Sequence, residues 1–166
     1  MYQTMKIFGF AVDSLANRPL VLLKGEDGDR TVPLWISMLE AVSMAAELVS
    51  REVSSQSGRS DLLTTLMTQL GMKIAAINLD SVRSDMVMAT VLFSNGSDEI
   101  RTEVRACEAL TASLKYRMPL RVSEEVIAWA STRAAGDESA ASENDARRFV
   151  DLLEQLDPAT LGKYPM

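Results

Sequence analysis

The pattern of apolar and polar positions divides the chain into two β-rich blocks, each running into helices. Met5 to Val12 is apolar and β-prone, and Leu20 to Lys24 follows a turn-like Ala-Asn-Arg-Pro. Gly25 to Asp29 reads as a hairpin loop, because its Asp-Gly pair supplies the positive φ of a tight turn, and Arg30 to Ile36 is the returning strand. Three antiparallel strands therefore open the domain. The second block repeats the device with strands at Lys73 to Leu79, Met86 to Phe93 and Ile100 to Val104, the last two joined at Asn95-Gly96.

The helical period appears between and after these blocks. Ser37-Met-Leu-Glu40 is a capping box, in which the serine side chain takes a backbone N–H and the glutamate reaches back to the cap. It predicts a helix from Met38 to Ser50, with Met38, Val42, Ala45 and Val49 on one face and Glu40, Ser43, Glu47 and Arg51 on another. Ser54 to Gly58 has the chemistry of a flexible surface loop. A second helix is expected to start with Ser60 as N-cap, to turn Leu63, Leu66, Met67 and Leu70 inward, and to end at Gly71. From Glu99 to Ile127 the pattern gives a strand, a helix opening at Ala106, a short strand after Pro119 and a helix starting at Ser123. Small and acidic residues then mark 134–143 as a linker. Residues 144–166 hold an amphipathic helix, with Ala146, Phe149, Val150, Leu153 and Leu156 on one side, and a tail. The expected organisation is one domain over 1–133, the linker, and that helical tail.

Length supports one core: 166 residues bury one well and two poorly. With 47% hydrophobic and 24% charged residues the composition is that of an ordinary globular chain. No apolar run approaches the roughly 20 residues of a membrane span, and the N-terminus lacks a basic region before an apolar block, so a cytoplasmic location is expected. Cys107 stands alone, which removes both a disulfide framework and a thiolate zinc site. The absence of histidine removes the commonest general base. A net charge of −6 argues against a generic phosphate-backbone binder while leaving room for a local basic patch. Walker loops, dinucleotide-type glycine clusters and nucleophile elbows are missing, and no organic cofactor is expected.

What remains for chemistry is a set of charges at predicted helix starts: Glu40, Asp61, Glu103 and Glu108, with Arg105 between the last two. One reading is purely structural, since first-turn carboxylates gain about 0.3–1 kcal/mol from the helix dipole. The other is that these helix starts converge, so that the four carboxylates bind Mg²⁺ or Mn²⁺ and the cation activates water against a phosphodiester. Arg105 would then hold a phosphate oxygen, or else pair with Glu103 or Glu108. Cys107 reads as a small buried hydrophobe.

Several segments, taken in order, resemble the bifunctional nuclease family over residues 5 to about 130. They are Pro19 to Lys24, Asp29 to Ile36 followed by Glu40-Ala41, Ser60 to Leu63 with Leu70-Gly71, Glu103 to Ala109, and Pro119 to Val122 with Glu124 to Val126. The resemblance implies a single α+β domain with an antiparallel or mixed sheet flanked by helices, a C-terminal helical tail and self-association into a homo-oligomer. It also implies divalent-metal-dependent cleavage of DNA or RNA. Glu40 and Asp61 stand where the family has acidic residues, and Arg105 matches the family arginine. Ser60 stands where histidine is common, Glu103 and Glu108 where aspartate is usual, and Ala106-Cys107 replaces Pro-Ser. The same resemblance leaves a second expectation: a non-catalytic, oligomeric interaction or regulatory module that keeps the fold.

Overall fold

The computed structural model describes residues 1–13 and 17–137, with side chains through Ala135. The chain divides into a compact unit, Met1–Ser131, and a second unit, Thr132–Met166. The architecture below is that of the first.

Strands β1 (Tyr2–Asp13), β2 (Arg18–Gly25) and β3 (Thr31–Trp35) form the first antiparallel block, and α1 (Met38–Ser57) and α2 (Leu62–Leu70) follow. Strands β4 (Lys73–Arg83), β5 (Met86–Ser94) and β6 (Glu99–Arg105) form the second, succeeded by α3 (Ala106–Tyr116), β7 (Leu120–Ser123) and α4 (Glu124–Asp137). All seven strands share one sheet in the order β3-β2-β1-β7-β4-β5-β6. Every pairing is antiparallel except β4 with β7. The domain is therefore α+β with a mixed sheet.

The inward positions of the sheet, among them Met5, Val21, Leu23, Ile77, Leu79, Ala89, Leu120 and Val122, meet Met44 of α1, Ala109 and Leu110 of α3, and Val126, Ile127 and Ala130 of α4 in one cluster. Alternation places the other side chains of β4 to β7 on the opposite face. A cleft on that face is lined without any helical residue.

Local chemistry explains where elements begin and end. Ser37 and Glu40 make both halves of the expected capping box. The α1 helix runs through the expected loop at Ser54–Ser57 and stops at Gly58, whose φ of 68° suits a residue without Cβ. Asp61, not Ser60, caps α2, accepting the Thr64 N–H at 2.7 Å. The β5–β6 loop is longer than a two-residue hairpin, because Asn95 Oδ1 gathers the N–H groups of Ser97 and Asp98. The linker expected at 134–143 begins within α4, and the helix and tail expected at 144–166 lie outside the described residues.

The two apolar stripes behave differently from a simple amphipathic rule. On α1 only Met44 is fully buried, while Leu39, Val42 and Val49 are 76%, 59% and 64% exposed. On α2 the expected inward set is corrected: Leu63, Leu66 and Leu70 are exposed, and only Met67 packs against the core. The cause is the α1–α3 contact, which is polar. Lys115 of α3 meets Glu47 of α1, and Arg51 donates to the Leu114 carbonyl at 3.0 Å. These satisfied groups take the inward side of α1 and leave the apolar stripe facing out.

Candidate functional site

Two helix N-termini meet at one cleft. At the start of α1 the Ser37 N–H donates to Glu40 Oε2 at 2.7 Å, and the Glu40 N–H donates to Ser37 Oγ at 3.1 Å. At the start of α3 the Arg105 N–H donates to Glu108 Oε2 at 3.0 Å. That is half a capping box, since an arginine side chain has no acceptor with which to complete it. Between them lies a cavity of about 420 Å³, lined by Glu40, Ser43, Met44 and Glu47 of α1, Leu63 of α2, and Arg105, Cys107, Glu108, Thr111 and Lys115 from the α3 side.

Electrostatics couple these groups. Partial burial disfavours the charged form of Glu40, but hydrogen bonds from the Ser37 N–H, the Ser37 hydroxyl and the Cys107 thiol, together with the charge of Arg105, outweigh it. Glu40 is consequently held below the usual glutamate range and is ionised at neutral pH. The Cys107 thiol is pushed up, first by burial and then by the Glu40 carboxylate it faces, so it is a poor nucleophile. Among the described residues Arg105 is in no ion pair: its expected partner Glu103 is taken by Arg83 at 3.1 Å.

Asp61 bears on the cleft's far end through Lys115. Its carboxylate caps α2 and pairs with Lys115, whose ammonium also lies 2.7 Å from Glu47 Oε1. Burial opposes the charge on Asp61, yet the Lys115 hydrogen bond and the Thr64 donors bring its pKa below normal. Burial likewise opposes the charge on Lys115, and its Asp61 and Glu47 partners raise its pKa above normal. The Lys115 side chain is only 11% exposed. A further bond, Thr64 Oγ1 to Tyr116 Oη at 3.0 Å, ties α2 to α3.

The structure therefore brings Glu40, Arg105 and Glu108 together, leaves Asp61 outside the lining of their cleft in an ion pair with Lys115, and separates Glu103. Glu103 lies on the opposite sheet face, in a second cleft with Arg83, Arg101 and Arg121. The reason is strand parity: Val104 packs toward the core, so Glu103 points the other way. Among the described residues no three histidine, cysteine, aspartate or glutamate side chains are placed to hold one ion. The four-carboxylate ligand set is not assembled; Glu40 and Glu108 are the pair sharing a cleft.

Lys115, Glu47 and Tyr116 were not legible as site residues. The signal was the polar stripe itself: Glu40, Ser43 and Glu47 on α1 and Glu108, Thr111 and Lys115 on α3 recur at helical spacing. Two such stripes can face each other when their charges are opposite.

Among the described residues, no helix is long and apolar enough to cross a membrane. Two uncharacterized proteins of Mycobacterium tuberculosis, MT1877 of strain CDC 1551 / Oshkosh and Rv1829 of strain H37Rv, are each 25% identical to this chain over 159 residues. Each alignment covers 93% of this chain and 94% of the relative. The bifunctional nuclease domain matches residues 21–135, a span holding the α1–α3 cleft and most of the sheet, and the chain belongs to the bifunctional nuclease domain family.

Proposed function

We propose that this chain is a cytoplasmic, divalent-metal-dependent nuclease that cleaves phosphodiester bonds of DNA or RNA at the α1–α3 cleft and works as a homo-oligomer. The observation that supports this best is the meeting of Arg105 with Glu40 and Glu108 at two adjoining helix N-termini. Arg105 offers a guanidinium uncommitted to any ion pair among the described residues, whose fork matches two phosphate oxygens. The helix N-termini add the positive ends of their dipoles. Glu40 and Glu108 each commit one oxygen to a helix cap, which fixes the direction of the side chain.

Bare carboxylates repel a polyanion, so the reading includes a cation. Mg²⁺ is commonly held by one or two carboxylates with substrate phosphates and waters completing its shell, and Glu40 and Glu108 would be those two for Mg²⁺ or Mn²⁺. The ion would supply charge neutralisation at phosphate and a more acidic water.

Single-stranded DNA and RNA, incubated with Mg²⁺, Mn²⁺ or EDTA, test the proposal. Cleavage is expected only with metal, to fall roughly 100-fold in Arg105→Ala and Glu40→Gln, and to persist in Glu103→Ala. No cleavage by the parent protein, or equal cleavage by all variants, removes the reading.

A non-catalytic oligomeric interaction module is the second reading. The exposed apolar stripe of α1 and α2 favours it. Self-association without cleavage would select it.

A further inference from the structure

The second cleft, on the sheet face away from the core, has a volume of about 490 Å³ and no role in the chemistry above. Its floor is a row across four strands, with Tyr2 of β1 beside it. Arg121 of β7 pairs with Asn78 of β4, Asn78 with Thr90 of β5, and Thr90 with Glu103 of β6. Alternation puts Asp80 beside Asn78, and the bulge in β4 between Leu79 and Ser81 shifts the parity beyond it, so that Ser81 and Arg83 line the same cleft.

Three features distinguish this face from an ordinary solvated one. Asn78, at the centre of the row, has a fully buried Oδ1 with no hydrogen-bond partner. An orphaned acceptor of this sort costs about 1–3 kcal/mol, and a native protein rarely carries it without use. Second, the cations are not all spent. Glu103 pairs with Arg83 at 3.1 Å, and Asp80 accepts the Tyr2 hydroxyl at 2.7 Å, which leaves Arg101 and Arg121 in no ion pair among the described residues. Three arginines thus face two engaged carboxylates in a chain whose net charge is −6. Third, the Arg121 guanidinium lies over the Tyr2 ring, 5.1 Å from its centroid, and presents a stacked planar surface at the cleft's edge.

A ligand that fits carries a negative charge for Arg101 and Arg121, a planar group for the Tyr2–Arg121 stack, and a polar edge for the Asn78 side chain that lines the cleft. A nucleotide has all three: phosphate, base ring and the base's polar edge. We propose that this outer sheet face, centred on Asn78 and flanked by Arg101 and Arg121, is a nucleotide-binding site distinct from the α1–α3 cleft. It extends the nuclease reading by giving the substrate strand a second anchor, and the binding it describes does not depend on cleavage. The nucleotide is either one unit of a single strand or a free mononucleotide, since both present the same groups. Stacking on aromatic and arginine planes, with arginine at the backbone, is how sheet surfaces hold single strands.

Fluorescence anisotropy of labelled oligo-deoxyadenylate and oligo-thymidylate in EDTA, with adenosine monophosphate as competitor, tests the site. Arg101→Glu with Arg121→Glu is expected to weaken binding roughly tenfold or more. Asn78→Leu is expected to remove a preference for deoxyadenylate, whose polar edge differs from that of thymidylate. Both arginines are exposed, and Arg101→Ala serves if the double variant loses its native circular dichroism. Competition by adenosine monophosphate identifies a free nucleotide as sufficient ligand; its failure, with strand binding intact, identifies the strand. Unchanged binding in correctly folded arginine variants overturns the proposal, as does no binding of any of these ligands by the parent protein at millimolar concentration. Arginine-dependent binding without cleavage keeps this site and removes the nuclease reading. Metal-dependent cleavage with binding indifferent to Arg101 and Arg121 does the reverse.

Discussion

Lys115 Nζ lies 2.7 Å from Glu47 Oε1 and thereby locks the end of α3 to the middle of α1. The same ammonium meets Asp61 at the cap of α2, so one nearly buried cation serves three helices. Replacing it with methionine leaves two carboxylates without their counter-charge. Lys115→Met is expected to destabilise the fold by about 1–3 kcal/mol, toward the lower end because both carboxylates retain contact with water. Lys115→Arg should recover part of the loss. Urea midpoints at unchanged slope provide the measurement, and a midpoint unmoved in Lys115→Met would show that the pair is idle.

Acid should weaken the fold through the same carboxylates. The folded-state pKa values of Asp61 and Glu40 are depressed below their ordinary 3.8 and 4.5. Each therefore contributes stability that is complete above its ordinary value and is lost as pH falls through the lower folded one. Stability is expected to decline below about pH 4.5, and Asp61→Asn should flatten that decline. For Lys115, raised above 10.5, the contribution is complete below that pH and is lost as pH rises through the folded value. Denaturation midpoints across the pH range would reveal both limbs, and an acid limb identical in Asp61→Asn would refute the assignment.

Cys107 should react slowly. Burial, and then the negative charge of Glu40, hold its thiol in the protonated form. Alkylation by iodoacetamide at mildly alkaline pH is expected to be slower than for a free thiol and several-fold faster in Glu40→Gln. A rate in that variant equal to or below the parent's would mean that the carboxylate does not face the thiol.

The outward stripe of α1 and α2 predicts self-association. Leu39, Val42 and Val49 of α1 and Leu62 of α2 lie 59% to 84% exposed, more large apolar side chains in water than a helix without a partner ordinarily presents. Leu39→Glu with Val49→Glu is expected to yield a folded monomer where the parent sediments as an oligomer. A parent protein that sediments as a monomer across micromolar concentrations defeats the expectation.

Strand parity and turn chemistry made most of the fold legible in the sequence. Each predicted strand falls within one or two residues of an observed one or grows at its ends, because alternation and the Asp-Gly and Asn-Gly signals are local. The Ser37–Glu40 box was legible for the same reason. Which way a helix turns is not local. The period of α1 separates its two stripes correctly, but only the Lys115 ammonium and the Leu114 carbonyl of α3 decide that Glu47 and Arg51 face inward and Val42 faces out. Glu103 illustrates a different limit: two residues from Arg105 in sequence, it lies in another cleft because the chain turns from strand to helix at Arg105.

The position of β7 has a consequence for how the chain comes into being. Leu120–Ser123 is the last strand to be synthesised among the described residues, yet it lies between β1 and β4 and is paired to both. Until those four residues emerge, the first three strands and the next three can form only two separate antiparallel ribbons with open edges. Edges of that kind recruit other chains, and contacts so distant in sequence form slowly. A nascent chain stalled before Leu120 would expose the inner margin of each ribbon. Premature termination between β6 and β7 should therefore leave two sticky half-sheets and no partly working domain.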